Sequence, residues 1–296
     1  MKTTAPANLH ISPSSRVSAG PRLSERVEQK LFVRPDHIGL ALGLLLRTCR
    51  RDPQFPGGQV NSLYFDTVDL EEHRKSDAGE LAKDKVRIRW YGDELDPHRL
   101  EAGGSSSVGV PGERSVEVWL ERKSRRAFAS TKQRLAVEAP ASALTFTALE
   151  EGIVPADLLV DTMARFGLFP PGGRFFLVIA ISYARCRFTE PVTGFRVSLD
   201  WRIRSSIVKP GLALGERGLV LPGAVVEIKG PAFHMPPALR PLADIGSSWT
   251  RYSKYSSSLD AHASARGSVS RAWPSGVMER APGPIGWVSR TEQNGE

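Results

Sequence analysis

The sequence predicts an α+β protein built on an antiparallel sheet that closes around a charged interior, with a few helices packed on its outside. Three observations predict it. Six strand-like runs each set charged side chains on one face and apolar ones on the other. Helix signals are few, and the charged faces mix Arg and Lys with Glu or Asp where an open sheet face more often carries Thr, Ser and Gln.

The first run, VEQKLFV, sets Glu28, Lys30 and Phe32 against Val27, Leu31 and Val33. KVRIRWY sets Lys85, Arg87, Arg89 and Tyr91 against Val86, Ile88 and Trp90. In SVEVWLERK, Glu117, Trp119, Glu121 and Lys123 oppose Val116, Val118, Leu120 and Arg122; in TKQRLAVE, Lys132, Arg134 and Glu138 oppose Gln133, Leu135 and Val137. FRVSLDWR places Arg196, Ser198, Asp200 and Arg202 opposite Phe195, Val197, Leu199 and Trp201, and VVEIK places Glu227 and Lys229 opposite Val226 and Ile228. Any one run alone fits a half-solvated strand with its polar side out. Six with one habit favour a sheet whose charged faces turn inward and whose apolar faces pack on helices. Cations facing one another across such a tunnel repel and are costly to desolvate. Interior acids offset part of this, and a bound polyanion offsets more, with Arg as a bidentate ligand of phosphate and Lys as a point charge.

Three helical regions are expected. Asp36–Arg50 follows Pro35, carries an acid in its first turn and ends in basic residues, as the helix dipole prefers. A short helix is expected over Val68–Lys75. A third region, Ala141–Phe169, can form an apolar stripe from Leu158, Leu159, Met163, Phe166 and Leu168. Residues 1–22 and 262–296 are poor in large aliphatics and rich in Ser, Gly, Pro or Ala, so they are expected as a disordered leader and tail around one folded domain, 23–261. An organelle transit peptide is the other reading of the leader. Glu101–Arg114 reads as a long insertion between two strands.

Composition narrows the classes. Of 296 residues, 40 are Lys or Arg and 32 Asp or Glu, and the resulting net charge of +8 favours an anionic partner. Hydrophobic residues make up 41%, ample for a core, which excludes collagen, coiled coil and wholesale disorder. Two cysteines, Cys49 and Cys186, make neither a zinc cluster nor a disulfide scaffold, so a reducing compartment and a cytoplasmic location are expected. The longest aliphatic run, Ile38–Leu46, is too short to cross a bilayer. Neither a P-loop nor a GxSxG elbow is present, and the six histidines show no pairing at metal spacing. Trp90 and Trp119 read as core and rim residues, so single-strand nucleic-acid platforms are not evident and no nucleic-acid partner is expected.

In order along the chain, ERVEQKLFV, NSLYFDT, KVRIRWYG, WLERKSRR with STKQR, ISYARCRF, RVSLD, VVEIKG and RYSKYSSSL resemble the blocks of the VTC (vacuolar transporter chaperone) polyphosphate polymerase domain. This domain is part of the triphosphate tunnel metalloenzyme, or CYTH-like, superfamily, and the resemblance runs from about Glu25 to Leu259. The CYTH branch opens on ExExK; here Arg26 replaces the first acid before Glu28 and Lys30, which favours the VTC branch. The resemblance implies an eight-stranded antiparallel tunnel. Its phosphate ligands fall on Lys30, Arg87, Arg89, Lys123, Lys132, Arg185, Arg196, Lys229 and Lys254, with Ser253 as a further phosphate contact. The metal-binding glutamate falls on Glu227, for Mn²⁺ or Mg²⁺. Arg134, Arg187 and Asp200 follow on alternation alone.

The activity so implied is metal-dependent transfer of the γ-phosphate of ATP to a growing inorganic polyphosphate chain, with orthophosphate or pyrophosphate as primer. A triphosphatase using water as acceptor, or a polyphosphate- or inositol-phosphate-binding module without turnover, would use the same tunnel. Glu227 has the alternative role of a salt-bridge partner for Lys229 or a nearby Arg, and Lys254 that of a surface lysine on a C-terminal helix. Fungal members of the family carry an SPX domain and membrane helices that this sequence lacks, so translocation would require a separate membrane protein.

Overall fold

In the computed structural model, residues 27–92, 115–127, 129–140, 155–171, 173–209, 212, 218–231, 234–248 and 252–264 are described. The expected leader, the 101–114 insertion, the 141–154 part of the third helical region and the tail beyond residue 264 lie outside them. The strands are β1 (Val27–Val33), β2 (Arg50–Arg51), β3 (Gly57–Asp66), β4 (Ala82–Tyr91), β5 (Ser115–Arg126), β6 (Ala129–Pro140), β7 (Phe176–Thr189), β8 (Arg196–Ile207), β9 (Gly218–Gly230) and β10 (Gly246–Ser248). They form one sheet in the order β10-β1-β9-β8-β7-β3-β4-β5-β6, with β2 paired to β7. Every ladder is antiparallel. Leaving out the two-residue β2 and three-residue β10, the long strands are the expected eight.

The sheet curls strongly. Lys123 of β5 and Glu28 of β1 are far apart in the strand order, yet their side chains stand 3.8 Å apart. Full closure was expected; among the described residues no hydrogen-bonded ladder joins β6 to β1 or β10.

The predicted apolar faces form two outer layers. Val86, Ile88, Trp90, Val118, Leu120, Leu135 and Val137 pack with Met163 and Leu168, from the helix α3 (Pro155–Arg165) and the turn after it. Leu31, Val33, Val197, Leu199, Val226 and Ile228 pack with Ala41 and Leu45 of α1 (Ile38–Thr48) and Leu242 of α4 (Pro241–Ile245). Each of the Val, Leu, Ile and Met side chains among them contributes about 1.5–3 kcal/mol by leaving water. The first predicted helix is split: Pro35–His37 is a 3₁₀ turn, and α1 ends at Thr48, where Cys49 turns extended. The short helix α2 (Glu71–Asp77) begins later than expected, because the Asp66 carboxylate and Thr67 hydroxyl accept from the backbone N–H groups of Glu71, Glu72 and His73 and fix its start.

A third apolar cluster lies inside the curl. Tyr64, Tyr183 and Val225, which share faces with charged inner residues, pack on Tyr252 and on Tyr255 and Leu259 of α5 (Lys254–Ser264). Ser205 Oγ lies 3.1 Å from His262 Nε2 of the same helix. Part of the interior is therefore filled by a helix, and the rest is polar. A bulge between β8 and β9 makes room: the register shifts between Trp201 and Ile203, and Gly223 sits at φ 73°, where a Cβ would lie 2.5 Å from the Val33 carbonyl oxygen. This corrects the alternation predicted for β8. Arg202, grouped with Asp200 by period two, sits at φ 51° on the bulge and is exposed, while Ile203 and Ser205 turn inward.

Both cysteines are free. Among the described residues no helix is long and apolar enough to cross a membrane.

A basic chamber as candidate active site

Alternation brings the inner side chains of β4, β5 and β6 together around Glu121. Its carboxylate accepts from Arg87 Nε at 2.8 Å and pairs with Lys132 Nζ at 2.5 Å. Arg87 also donates to the Tyr64 hydroxyl at 3.2 Å, and Arg89 donates to Ser62 Oγ at 3.1 Å and to the Tyr183 hydroxyl at 3.3 Å. Burial opposes the charge on Glu121, but Arg87, Arg89 and Lys132 outweigh it and hold the carboxyl well below its usual range. For Arg87 too, burial is outweighed, here by Tyr64 and Glu121, so its guanidinium is held more firmly charged.

A second knot joins β7, β8, β9 and α5. Arg185 donates to both oxygens of Asp200, at 2.5 and 2.6 Å, in the fork geometry that suits arginine. Lys254, the first residue of α5, pairs with Asp200 at 2.6 Å and Glu227 at 3.3 Å, while its ammonium lies 4.8 Å from the centre of the Tyr183 ring. Glu227 also meets Lys229 at 3.1 Å and Arg185 at 3.5 Å. Burial would raise the pKa of Glu227, but Lys254, Lys229 and Arg185 hold it well below the usual carboxylate value.

The wall is completed at β1. Lys30 pairs with Glu28 at 3.3 Å and donates to the Tyr252 carbonyl at 2.9 Å, next to Ser253. Lys85 donates to Ser253 Oγ at 2.8 Å.

The chamber brings together Lys30, Arg87, Arg89, Lys123, Lys132, Arg185, Glu227, Lys229, Ser253 and Lys254. Lys254 is 9% exposed, so it is no surface lysine, and Glu227 does pair with Lys229. Arg196 lies opposite Lys229 in the ladder but is exposed at the rim. Asp200, read on alternation alone, is the most buried charge of the second knot at 0% exposure. Arg134 instead stacks 3.5 Å over Trp119, and Arg187 faces Phe55 and Tyr91; Trp90 belongs to the outer core. Sequence reasoning missed the roles of Glu121, Lys85, Tyr64 and Tyr183. Glu121 and Lys85 carried a signal, since each alternates onto the face of a predicted ligand; the two tyrosines carried none.

Among the described residues no group of three or more His, Cys, Asp or Glu forms a metal cage. The donor set fits a hard divalent cation all the same. Glu227 and Asp200 offer carboxylate oxygens around the same Lys254, and such ions are commonly held by one or two carboxylates with substrate phosphates completing the shell.

The chamber can be set beside known proteins. Among solved structures, a candidate adenylate cyclase from Bacillus halodurans is 14% identical, over 74% of this chain and 88% of that one, with a TM-score of 0.40. A candidate adenylate cyclase from Vibrio parahaemolyticus is 12% identical over 81% and 87%, at 0.34, and the Mediator head module of Schizosaccharomyces pombe is 9% identical over 73% and 88%, at 0.31. At these scores the likenesses carry no argument. No curated protein matches. The VTC domain family matches residues 25–156, which include Lys30, Arg87, Arg89, Lys123 and Lys132, whereas Arg185, Arg196, Glu227, Lys229, Ser253 and Lys254 lie beyond the match. By that match, residues 25–156 are similar to the VTC domain family.

Proposed function

We propose that the chamber transfers the γ-phosphate of ATP to the end of an inorganic polyphosphate chain, with residues 23–261 as the catalytic unit. One observation carries the reading: the basic side chains gathered in the chamber outnumber Glu28, Glu121, Asp200 and Glu227, so the interior keeps a positive excess that a polyanion would neutralise. Phosphoryl transfer asks little covalent chemistry of a protein and much positioning and charge neutralisation. Arg87 and Arg89 bind non-bridging oxygens of the triphosphate, and Lys30, Lys123, Lys132 and Lys254 hold the acceptor end in line. A terminal oxygen of the chain attacks the γ-phosphorus, the bond to the β–γ bridging oxygen breaks, and ADP leaves with that oxygen. Glu227, with Asp200 beside it, would hold Mn²⁺ or Mg²⁺; when bound, the ion supplies Lewis-acid neutralisation of the phosphate oxygens.

Incubation of the protein with ATP, Mn²⁺ and a short polyphosphate primer tests the role assignment. Glu227→Gln is expected to abolish metal-dependent turnover, and Arg87→Ala to lower it about 10²–10³-fold, as for the loss of one pre-set charge-stabilising donor. Full turnover by Glu227→Gln would refute the assignment.

A further inference from the structure

Five lysines of the chamber each face a carboxylate. Lys30 and Lys123 face Glu28, Lys132 faces Glu121, Lys229 faces Glu227, and Lys254 faces Asp200 and Glu227. Lys85 differs. Among the described residues no carboxylate pairs with it, and its ammonium donates to Ser253 Oγ, the hydroxyl that also receives the Ser256 N–H at the start of α5. The groups around it are cationic: Lys30 of β1, Lys83 and Arg87 of its own strand, and Lys123 of β5, with Ser253, the residue before α5, facing it.

Resting on the reading above, we propose that Lys85 is a phosphate-binding residue that takes up a proton from solvent when the polyanion enters, coupling chain binding to protonation. Burial, then the fields of Lys30 and Lys123, push the ammonium of Lys85 down to about 7 in the anion-free chamber. A phosphate oxygen beside it reverses the local field and restores the ammonium. Ser253 is well placed to share that phosphate, since its oxygen is occupied as an acceptor and its O–H can donate. Above pH 7 the free enzyme carries Lys85 largely as the amine and the complex carries it as the ammonium. Affinity then weakens by up to about tenfold per pH unit above pH 7 and levels off below it.

Calorimetric titration of long-chain inorganic polyphosphate into the full chain at pH 8, in buffers of different ionisation enthalpy, counts the protons taken up. Long chains keep titratable end groups few. Wild type is expected to take up about one proton more than Lys85→Arg, whose guanidinium stays charged. The arginine variant should also lose the steep part of the pH dependence. If Lys85→Arg does not fold, Lys85→Met serves: it should bind without the extra proton and more weakly than wild type at pH 6.5. Equal proton counts and equal pH slopes in wild type and variant would overturn the coupling while leaving the polyphosphate reading intact. Absence of binding by wild type at every pH would overturn both.

Discussion

The ammonium of Lys254 lies 2.6 Å from the carboxylate of Asp200, a group with no exposed surface, so the first residue of α5 is bonded into the wall of the sheet. Arg185 grips the same carboxylate from the other side. Two cations that would repel in a dry interior are thereby kept charged and oriented, with Glu227 next in line.

Removing that counter-ion should be costly, because breaking a buried ion pair leaves the partner charges uncompensated. Asp200→Ala is expected to lose about 3–5 kcal/mol of stability in urea unfolding. Saturating tripolyphosphate should restore part of the loss, since it offers Lys254 and Arg185 another anion.

Helix α5 is also held by Tyr255, whose hydroxyl donates to Asp66 Oδ2 at 2.6 Å, the oxygen that also accepts from the His73 N–H of α2. Tyr255→Phe should cost about 1.5–3 kcal/mol, the worth of a hydrogen bond to a charged group. It should also speed hydrogen exchange of the α5 amides and weaken tripolyphosphate binding, because Lys254 opens that helix and Ser253 directly precedes it.

The pH dependence of stability has two limbs. Lys85 is depressed from 10.5 to about 7, so between those values the unfolded chain binds the extra proton and stability of the anion-free protein rises with pH. Glu121 and Glu227 are depressed below 4.5, so their contribution is full above that value and is lost as the pH falls beneath it. Thermal melts from pH 3 to 10 should show both limbs. In Lys85→Met the alkaline rise should shrink, and an unchanged rise would assign it elsewhere.

Trp90 lies on the outer face of β4 with no exposed surface. Trp90→Ala should cost about 3–5 kcal/mol through the cavity it leaves. The KM for ATP of the folded fraction should stay at the wild-type value, in contrast to Arg89→Ala on the opposite face of the same strand.

Much of this architecture is written in the period-two alternation. Lys85, Arg87 and Arg89 against Val86, Ile88 and Trp90 predicted both the chamber and the outer core, and the antiparallel ladders follow. What alternation could not show depends on contacts distant in sequence. Tyr64 and Tyr183 read as ordinary strand aromatics until the curl brings their hydroxyls to Arg87 and Arg89. The segment KYSSSLDAHAS has too weak an apolar stripe to announce a helix that docks inside a sheet; Tyr255 and Leu259 find their partners only once β3, β7 and β9 surround them. Arg202 misled because a bulge shifts the period by one residue, and the glycine that permits it, Gly223, is on the neighbouring strand.

The most direct measurement is phosphorus NMR, with gel resolution of the products, on wild-type protein given ATP, Mn²⁺ and a short polyphosphate primer. Growth of internal polyphosphate resonances matched by ADP is the predicted result. Release of orthophosphate with no lengthening of the primer would contradict polymer synthesis and make water the acceptor in this chamber.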